Sequence, residues 1–341
     1  MNKNTMKGKK ILLWLGTPIL SIAIVVFLLF QFTPWPSAML IRYAFTKGGK
    51  AMNEALVKHT PNGITLIADQ QYDLNDSDAF LDVYFPSTIA NKDTILPVIV
   101  WIHGGGWVSG TKSEISNYYR ILAAKGVVVV SIDYSIAPEK KYPTPIVQTN
   151  AALAFLKQHA KKFHINPSSF FLAGDSGGAQ IAAQVANIIS NAEYSQLMGI
   201  SPSINRSELS GLLLYCGPYD AALADLKGQF GGFLKTVLWA YSGTKDFEKD
   251  PVFKRASVID YIDANFPPAF ISVGNDDPLA SHSLNLAQKL KALKTPIDTL
   301  FFTADYKPLL PHEYQFNLDV DAGYIALDRS MMFVNKFKNS F

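Results

Sequence analysis

From residue 96 onward the chain repeats one pattern, a short apolar run followed by a segment with helical spacing. The runs are "LPVIVWIH", "GVVVVSIDY", "SFFLAGDS", "GLLLYCG", "PAFISVGND" and "IDTLFFTA". Val127 to Val130 are apolar at every position, whereas a strand with one wet face would alternate. Such runs need cover on both faces, and their β-branched residues suit extended backbone. Between them, "TPIVQTNAALAFLKQHAKKF", "SGGAQIAAQVANIIS" and "SHSLNLAQKLKALK" carry helical spacing, and a last helix is expected from about Gly323 to Lys338. In the first of these, Thr144 is expected as N-cap with Pro145 at the first helical position. Strand and helix in alternation predict an α/β fold, a mainly parallel sheet with helices on both faces.

Three segments stand outside the rhythm. "ITLIADQQYD" and "AFLDVYFP" read as a partly buried hairpin, with Leu81, Val83 and Phe85 on the inner face. Residues 33–60 read as a short linker and then helical turns, with Met39, Leu40, Tyr43 and Ala44 as one apolar face. Residues 219–262 are far longer than one crossover needs. An insertion at the carboxyl ends of parallel strands is where a substrate-covering cap belongs.

The N-terminus is a separate unit. "MNKNTMKGKK" holds Lys3, Lys7, Lys9 and Lys10, and no charged residue follows from Ile11 until Arg42. The apolar run matches the ~20 residues that a membrane-crossing helix needs and exceeds the roughly 7–15 of a cleaved signal. The expectation is a cytoplasmic tail at 1–10, a single-pass transmembrane anchor at 11–32, and a domain at 33–341 on the extracytoplasmic side, since lysines crowd the N-terminal flank. The formal net charge is only +3 and no basic stripe is interleaved with aromatics, so no nucleic-acid partner is expected. One cysteine, Cys216, rules out an internal disulfide and a cysteine zinc site, and reads as a buried small hydrophobe.

The chemistry starts at "FFLAGDSGGAQIAA", where Gly174 to Gly178 form G-x-S-x-G between a strand and a small-residue helix. Ser176 on such a turn has its hydroxyl exposed, and flanking glycines let strand and helix approach closely. A nucleophilic serine needs a base, and the base an orienting carboxylate, here in the order Ser, Asp/Glu, His. Only His282 and His312 follow Ser176. His312, on a loop after the last strand, is the better placed, because His282 opens a helix. For the acid, Asp276, Asp277 and Asp220 all lie at strand ends. The stretch "HGGGW" at 103–107 follows another strand end, where bare backbone N–H groups would converge on a developing oxyanion together with that of Gly177.

"HGGGW" at 103–107, "GDSGG" at 174–178, "DPL" at 277–279 and "PHEY" at 311–314, in that order, resemble the hormone-sensitive-lipase-like family of α/β-hydrolase esterases. "DYSIAPEKKYPTPIVQ" is similar to the family's lead-in between the first two motifs. The resemblance spans about residues 65–338 and implies an α/β-hydrolase fold with a helical cap, drawn from about 33–60 and 219–262. It implies Ser176 as nucleophile, Asp277 as acid, His312 as base, and an oxyanion hole from Gly105 and Gly177, with Gly104 or Gly106 assisting. It implies hydrolysis of short- to medium-chain acyl esters through an acyl-enzyme, with no metal and no organic cofactor. Trp107, Phe233 and Trp239 are candidate pocket walls. Two stretches depart from the family's habit: Gly177 stands where alanine is common, and Glu313 and Tyr314 where glycine and an aromatic usually follow the histidine. Amide hydrolysis of the arylformamidase kind, and a non-catalytic ligand-binding module on the same fold, are the alternative readings.

Overall fold

The continuous apolar runs become the middle of one eight-stranded sheet. The structure, a computed structural model, describes residues 20–228 and 230–338. The strands are β1 (Ile64–Gln71), β2 (Phe80–Pro86), β3 (Leu96–Ile102), β4 (Val128–Ile132), β5 (Ile165–Asp175), β6 (Leu209–Tyr215), β7 (Ala269–Val273) and β8 (Ile297–Phe301), ordered β1-β2-β4-β3-β5-β6-β7-β8. The hairpin β1–β2 is antiparallel and β2 lies antiparallel to β4, while β4, β3, β5, β6, β7 and β8 run parallel. Tyr84 is as buried as Val83 and Phe85, because β2 is covered on both sides, so the expected alternation is lost there.

Alternate residues feed two cores. Val98, Val100 and Ile102 belong to the core covered by α4 (Thr144–Gln158), α5 (Ser176–Ser190) and α8 (Ala280–Ala292), with α5 packed on β3 itself. Ile99 and Trp101 point the other way, to α3 (Ser116–Ala123) and α9 (Asp321–Phe337). Helix α4 starts one residue earlier than expected, with Pro143 in the cap position and no side-chain cap. Thr144 is already helical there, which Pro145 tolerates because the first-turn N–H groups have no helical partner in any case.

At the N-terminal end, α1 (Leu20–Phe32) meets the helical stretch Trp35–His59, which begins with α2 (Trp35–Ala55), at 82°. Among the described residues no single helix is long and apolar enough to cross a membrane. Residues 11–19 of the expected anchor lie outside the described residues. The expected apolar face of α2 is corrected: Leu40 is 63% and Tyr43 72% exposed. Its docked side keeps Met39 of that face and adds Ala38, Ile41 and Arg42. The Arg42 guanidinium sets the rotation, with Nε donating to the Val108 carbonyl at 2.7 Å, Nη2 to that of Ala137 at 2.9 Å, and both Nη groups to Glu139. The long segment after β6 holds α7 (Gly231–Ser242), which packs on α2 with Phe45 and Phe233 rings 5.6 Å apart.

Candidate active site

β5 runs straight into α5, and the turn between them is strained. Ser176, the first residue of α5, is half-buried and has φ +50, a left-handed conformation costing roughly 1–2 kcal/mol for a residue with a Cβ. Gly178 makes the turn possible: a Cβ there would lie 2.1 Å from the Ile102 carbonyl oxygen and 2.3 Å from that of His103. The helix N-terminus thereby abuts the end of β3, its partial positive charge beside the serine.

The loops after β7 and β8 bring Asp277 and His312 together. His312 Nδ1 lies 2.8 Å from Asp277 Oδ2, and the Asp277 side chain is fully buried while that of His312 is 30% exposed. Asp277 also accepts from the Leu279 amide at 2.8 Å, which fixes its orientation. Because a carboxylate can only accept, Nδ1 is the donor, and in the neutral ring Nε2 is the nitrogen that keeps its lone pair. The other candidates are used elsewhere. Asp220 caps the turn at 221–223 and accepts from Asn285, while the Asp276 amide donates to the Leu310 carbonyl. His282 is buried and its Nδ1 accepts from the Asp220 amide at 3.3 Å. Burial lowers His282 to about 4, against a smaller opposing pull from Asp220 and Asp277, so it stays neutral.

Cys216 at the end of β6 is the neighbour that sequence reasoning missed. Its sulfur, an Asp277 oxygen and a His312 nitrogen lie within 4.8 Å of one another. Burial pushes the thiol up to about 11, so it is neutral at physiological pH. The histidine donates to Asp277, and the neutral thiol lies beside that pair. Burial opposes charge on His312, yet the adjoining Cys216, Asp277 and Glu313 raise it well above an ordinary histidine; with the thiol neutral, Asp277 is the cause that counts. Among the described residues no hydrogen bond joins the Ser176 hydroxyl to His312, a looseness common in sites without substrate.

The glycine loop after β3 faces the elbow. Gly105 has φ +91, and a Cβ on it would sit 2.4 Å from the Ser109 carbonyl oxygen, so only glycine fits. A Cβ on Gly106 would meet Phe233 at 3.4 Å and Val237 at 3.5 Å, which brings α7 over the loop. His103 supports the loop from beneath: its ring stacks on Tyr134 at 4.1 Å and Nδ1 donates to the Gly104 carbonyl at 3.0 Å. The Tyr134 hydroxyl donates to the His103 carbonyl at 2.9 Å. Burial, offset in part by that backbone contact, lowers His103 to about 4. Trp107 stacks on Tyr241 at 4.8 Å and donates to Gln180, so it is a buried floor under Gly177 more than an open wall. Trp239 faces Lys245, whose Nζ lies 4.4 Å from the ring centre.

Comparison with known proteins finds relatives of the chain. The family model described as BD-FAE matches residues 81–290. The acetyl esterase of Salmonella schwarzengrund is 26% identical over 243 residues, 68% of this chain and 71% of its own. Esterase B from Lactobacillus rhamnosis, in a structure with a C4-C4 tributyrin phosphonate, is 22% identical and superposes with a TM-score of 0.73, covering 89% of this chain and 96% of that one. An esterase from Pyrobaculum calidifontis, 21% identical, gives a TM-score of 0.69 over 88% of this chain and 93% of its own. The structural likenesses establish the α/β-hydrolase fold.

Proposed function

The chain belongs to the BD-FAE family, among the hormone-sensitive-lipase-like α/β-hydrolase esterases, and on that premise we propose that it is a serine carboxylic-ester hydrolase whose nucleophile is Ser176. The observation that carries the reading is the 2.8 Å contact between His312 Nδ1 and the buried Asp277. It leaves Nε2 basic, which a proton acceptor requires.

In the reaction, Ser176 Oγ attacks the acyl carbonyl carbon while His312 Nε2 takes the hydroxyl proton. The Asp277 carboxylate stabilises the imidazolium that forms. Charge on the carbonyl oxygen is met by the backbone N–H groups of Gly105 and Gly177, with Gly104 or Gly106 beside them. His312 then returns the proton to the leaving alkoxide, and the acyl group stays on Ser176. Water, deprotonated by the same nitrogen, releases the acid and regenerates the serine. Short to medium acyl chains are the proposed substrates, supported by the acetyl esterase relatives and by the tributyrin-derived inhibitor on esterase B. The segments around 33–60 and 219–262 act as the cap, supported by Phe233 and Val237 of α7 standing over Gly106.

Anchoring by residues 11–32, with the hydrolase domain extracytoplasmic, belongs to the same proposal. It is supported by the uncharged stretch from Ile11 to Arg42 behind four lysines. Alkaline extraction of membranes checks it: release of the full-length chain into the soluble fraction would count against an anchor.

The test of the activity is hydrolysis of p-nitrophenyl acetate, butyrate and longer esters by the full-length chain and by Ser176→Ala. The expected outcome is preference for acetate or butyrate and a fall of at least ~10³-fold in Ser176→Ala, which leaves only binding and the oxyanion donors. Equal rates in the two proteins would remove Ser176 as nucleophile.

A further inference from the structure

The residues that flank the reacting pair touch one another. Asp175 precedes Ser176, Glu313 follows His312, and both carboxyls close on one spot of the glycine loop. A Cβ on Gly104 would lie 2.2 Å from Asp175 Oδ2 and 3.1 Å from Glu313 Oε1. Asp175 and Glu313 are within hydrogen-bonding reach of each other, and Asp175 Oδ1 also accepts from Trp101 Nε1 at 2.8 Å. Glu114, packed against Gly49 of α2, is the third carboxyl of the cluster. Among the described residues the only cation in salt-bridge reach of the three is His312, whose Nε2 lies 3.8 Å from Glu313 Oε1.

Two carboxylates in contact at a buried site do not both ionise, so a shared proton is the physical resolution. The backbone supplies a second, independent sign. Glu313 has φ +60, a conformation that glycine adopts freely and glutamate does not. Such strain persists where surrounding contacts over-determine it, and at sites where it serves a purpose.

We propose that Glu313 is a positioning residue: it shares one proton with Asp175, and this carboxyl–carboxylate hydrogen bond fastens the His312 loop to the Ser176 elbow. The inference rests on the reading of Ser176 and His312 as the reacting pair. Burial, then the charge of Glu313, raises Asp175 well above an ordinary carboxyl, and the same two causes push Glu114 up to about 7. Around Asp175 stand the phenols of Tyr118, Tyr119, Tyr134 and Tyr219, all kept neutral by burial. On the Glu313 side stand His312 and the neutral thiol of Cys216, with Asp277 beyond the imidazole.

The sign follows from these neighbours. At low pH the pair holds its proton and the loops are joined. As pH rises the proton leaves, two like charges face each other, and the His312 loop loosens from the elbow. Glu313 also favours charge on His312, so replacing it lets His312 act as a base at lower pH. Glu313→Gln keeps an amide N–H to donate to the Asp175 carboxylate and has no proton to lose.

The experiment is the pH profile of kcat and KM for wild type, Glu313→Gln and Glu313→Gly. The wild-type kcat is expected to fall about tenfold or more from its optimum towards pH 9 with KM nearly constant, within the ~10²-fold that a small misplacement of a catalytic group costs. In Glu313→Gln that alkaline fall disappears and the acid limb moves to lower pH. Glu313→Gly suits the backbone but removes the carboxyl, and its kcat is expected about tenfold below wild type even at the optimum. Superimposable profiles for wild type and Glu313→Gln, or a wild-type kcat in Glu313→Gly, would overturn the proposal. A melting-temperature profile in the Ser176→Ala background reads the same contact without turnover. A proton held more tightly in the fold than in the unfolded chain makes stability fall as pH rises, and Glu313→Gln should flatten that fall. Identical slopes with and without Glu313→Gln would sink the latch, whether or not the chain hydrolyses esters.

Discussion

At the residue scale, the decisive balance is between burial of His312 and the carboxylate behind it. Burial disfavours the imidazolium, yet Asp277 at 2.8 Å and the nearby Glu313 raise His312 well above 6.5. In its proposed role as base His312 works as neutral imidazole, so activity at low pH should be limited by its protonated form and climb as pH rises through its raised value. Asp277→Asn removes the charge that holds the proton and lets the ring take the wrong tautomer. The acid limb should therefore move to lower pH while kcat falls on the order of 10³–10⁴-fold, measured as ester hydrolysis beside a circular dichroism check of folding. An unchanged kcat would show that Asp277 does not orient His312. The strand-to-helix turn at Ser176 and the meeting of His312 with a strand-end aspartate are legible in sequence, because motif and chain order point to them. The proximity of Cys216 and Glu313 is not, since it depends on left-handed backbone at both, φ +45 and +60, which no spacing rule announces.

At the element scale, neighbouring glycines of α5 separate packing from propensity. A Cβ on Gly178 would sit 2.1 Å from a backbone oxygen of β3, which has no rotamer with which to give way. On Gly177 the nearest atom would be Trp107 Nε1 at 3.2 Å, on a ring that can shift slightly. Gly178→Ala should therefore lower stability by about 1–3 kcal/mol or more through overpacking. Gly177→Ala should be near neutral, because alanine gains up to ~1 kcal/mol of helix propensity against the tight contact. Urea midpoints of the two variants check this, and equal losses would mean that the elbow does not press α5 onto β3. The parallel strands were legible because burial on both faces writes itself as unbroken Val, Ile and Leu. The seating of α2 was not: Arg42 and Gly49 lie on its docked side, so counting apolar residues selects the exposed Leu40 and Tyr43.

At the scale of the whole molecule, buried titratable groups of two kinds set the stability curve. His103 and His282 are held near 4 by burial against 6.5 in an open chain, so between those values only the unfolded state binds their protons. Their contribution makes stability rise with pH across that window. Burial acts oppositely on acids: Glu114 moves from 4.5 to about 7 and Asp133 from 3.8 to about 6, the latter partly offset by the Lys112 amide. Over those windows the fold keeps protons that the unfolded chain has released, and stability falls as pH rises. Below about pH 6 the two sets oppose and the curve should be shallow. Above 6.5 the histidines no longer contribute and Asp133 is spent, while Glu114, Asp175 and the raised His312 all still pull downward. Denaturant midpoints at about pH 5 and 6.5 should then lie close together, with a lower one at about pH 8. A midpoint that rises from pH 6.5 to 8 would mean that the carboxyl cluster is ionised throughout in the fold. Because His312 must lose its proton to serve in its proposed role as base, the pH range expected to favour turnover is the one in which the fold gives up stability.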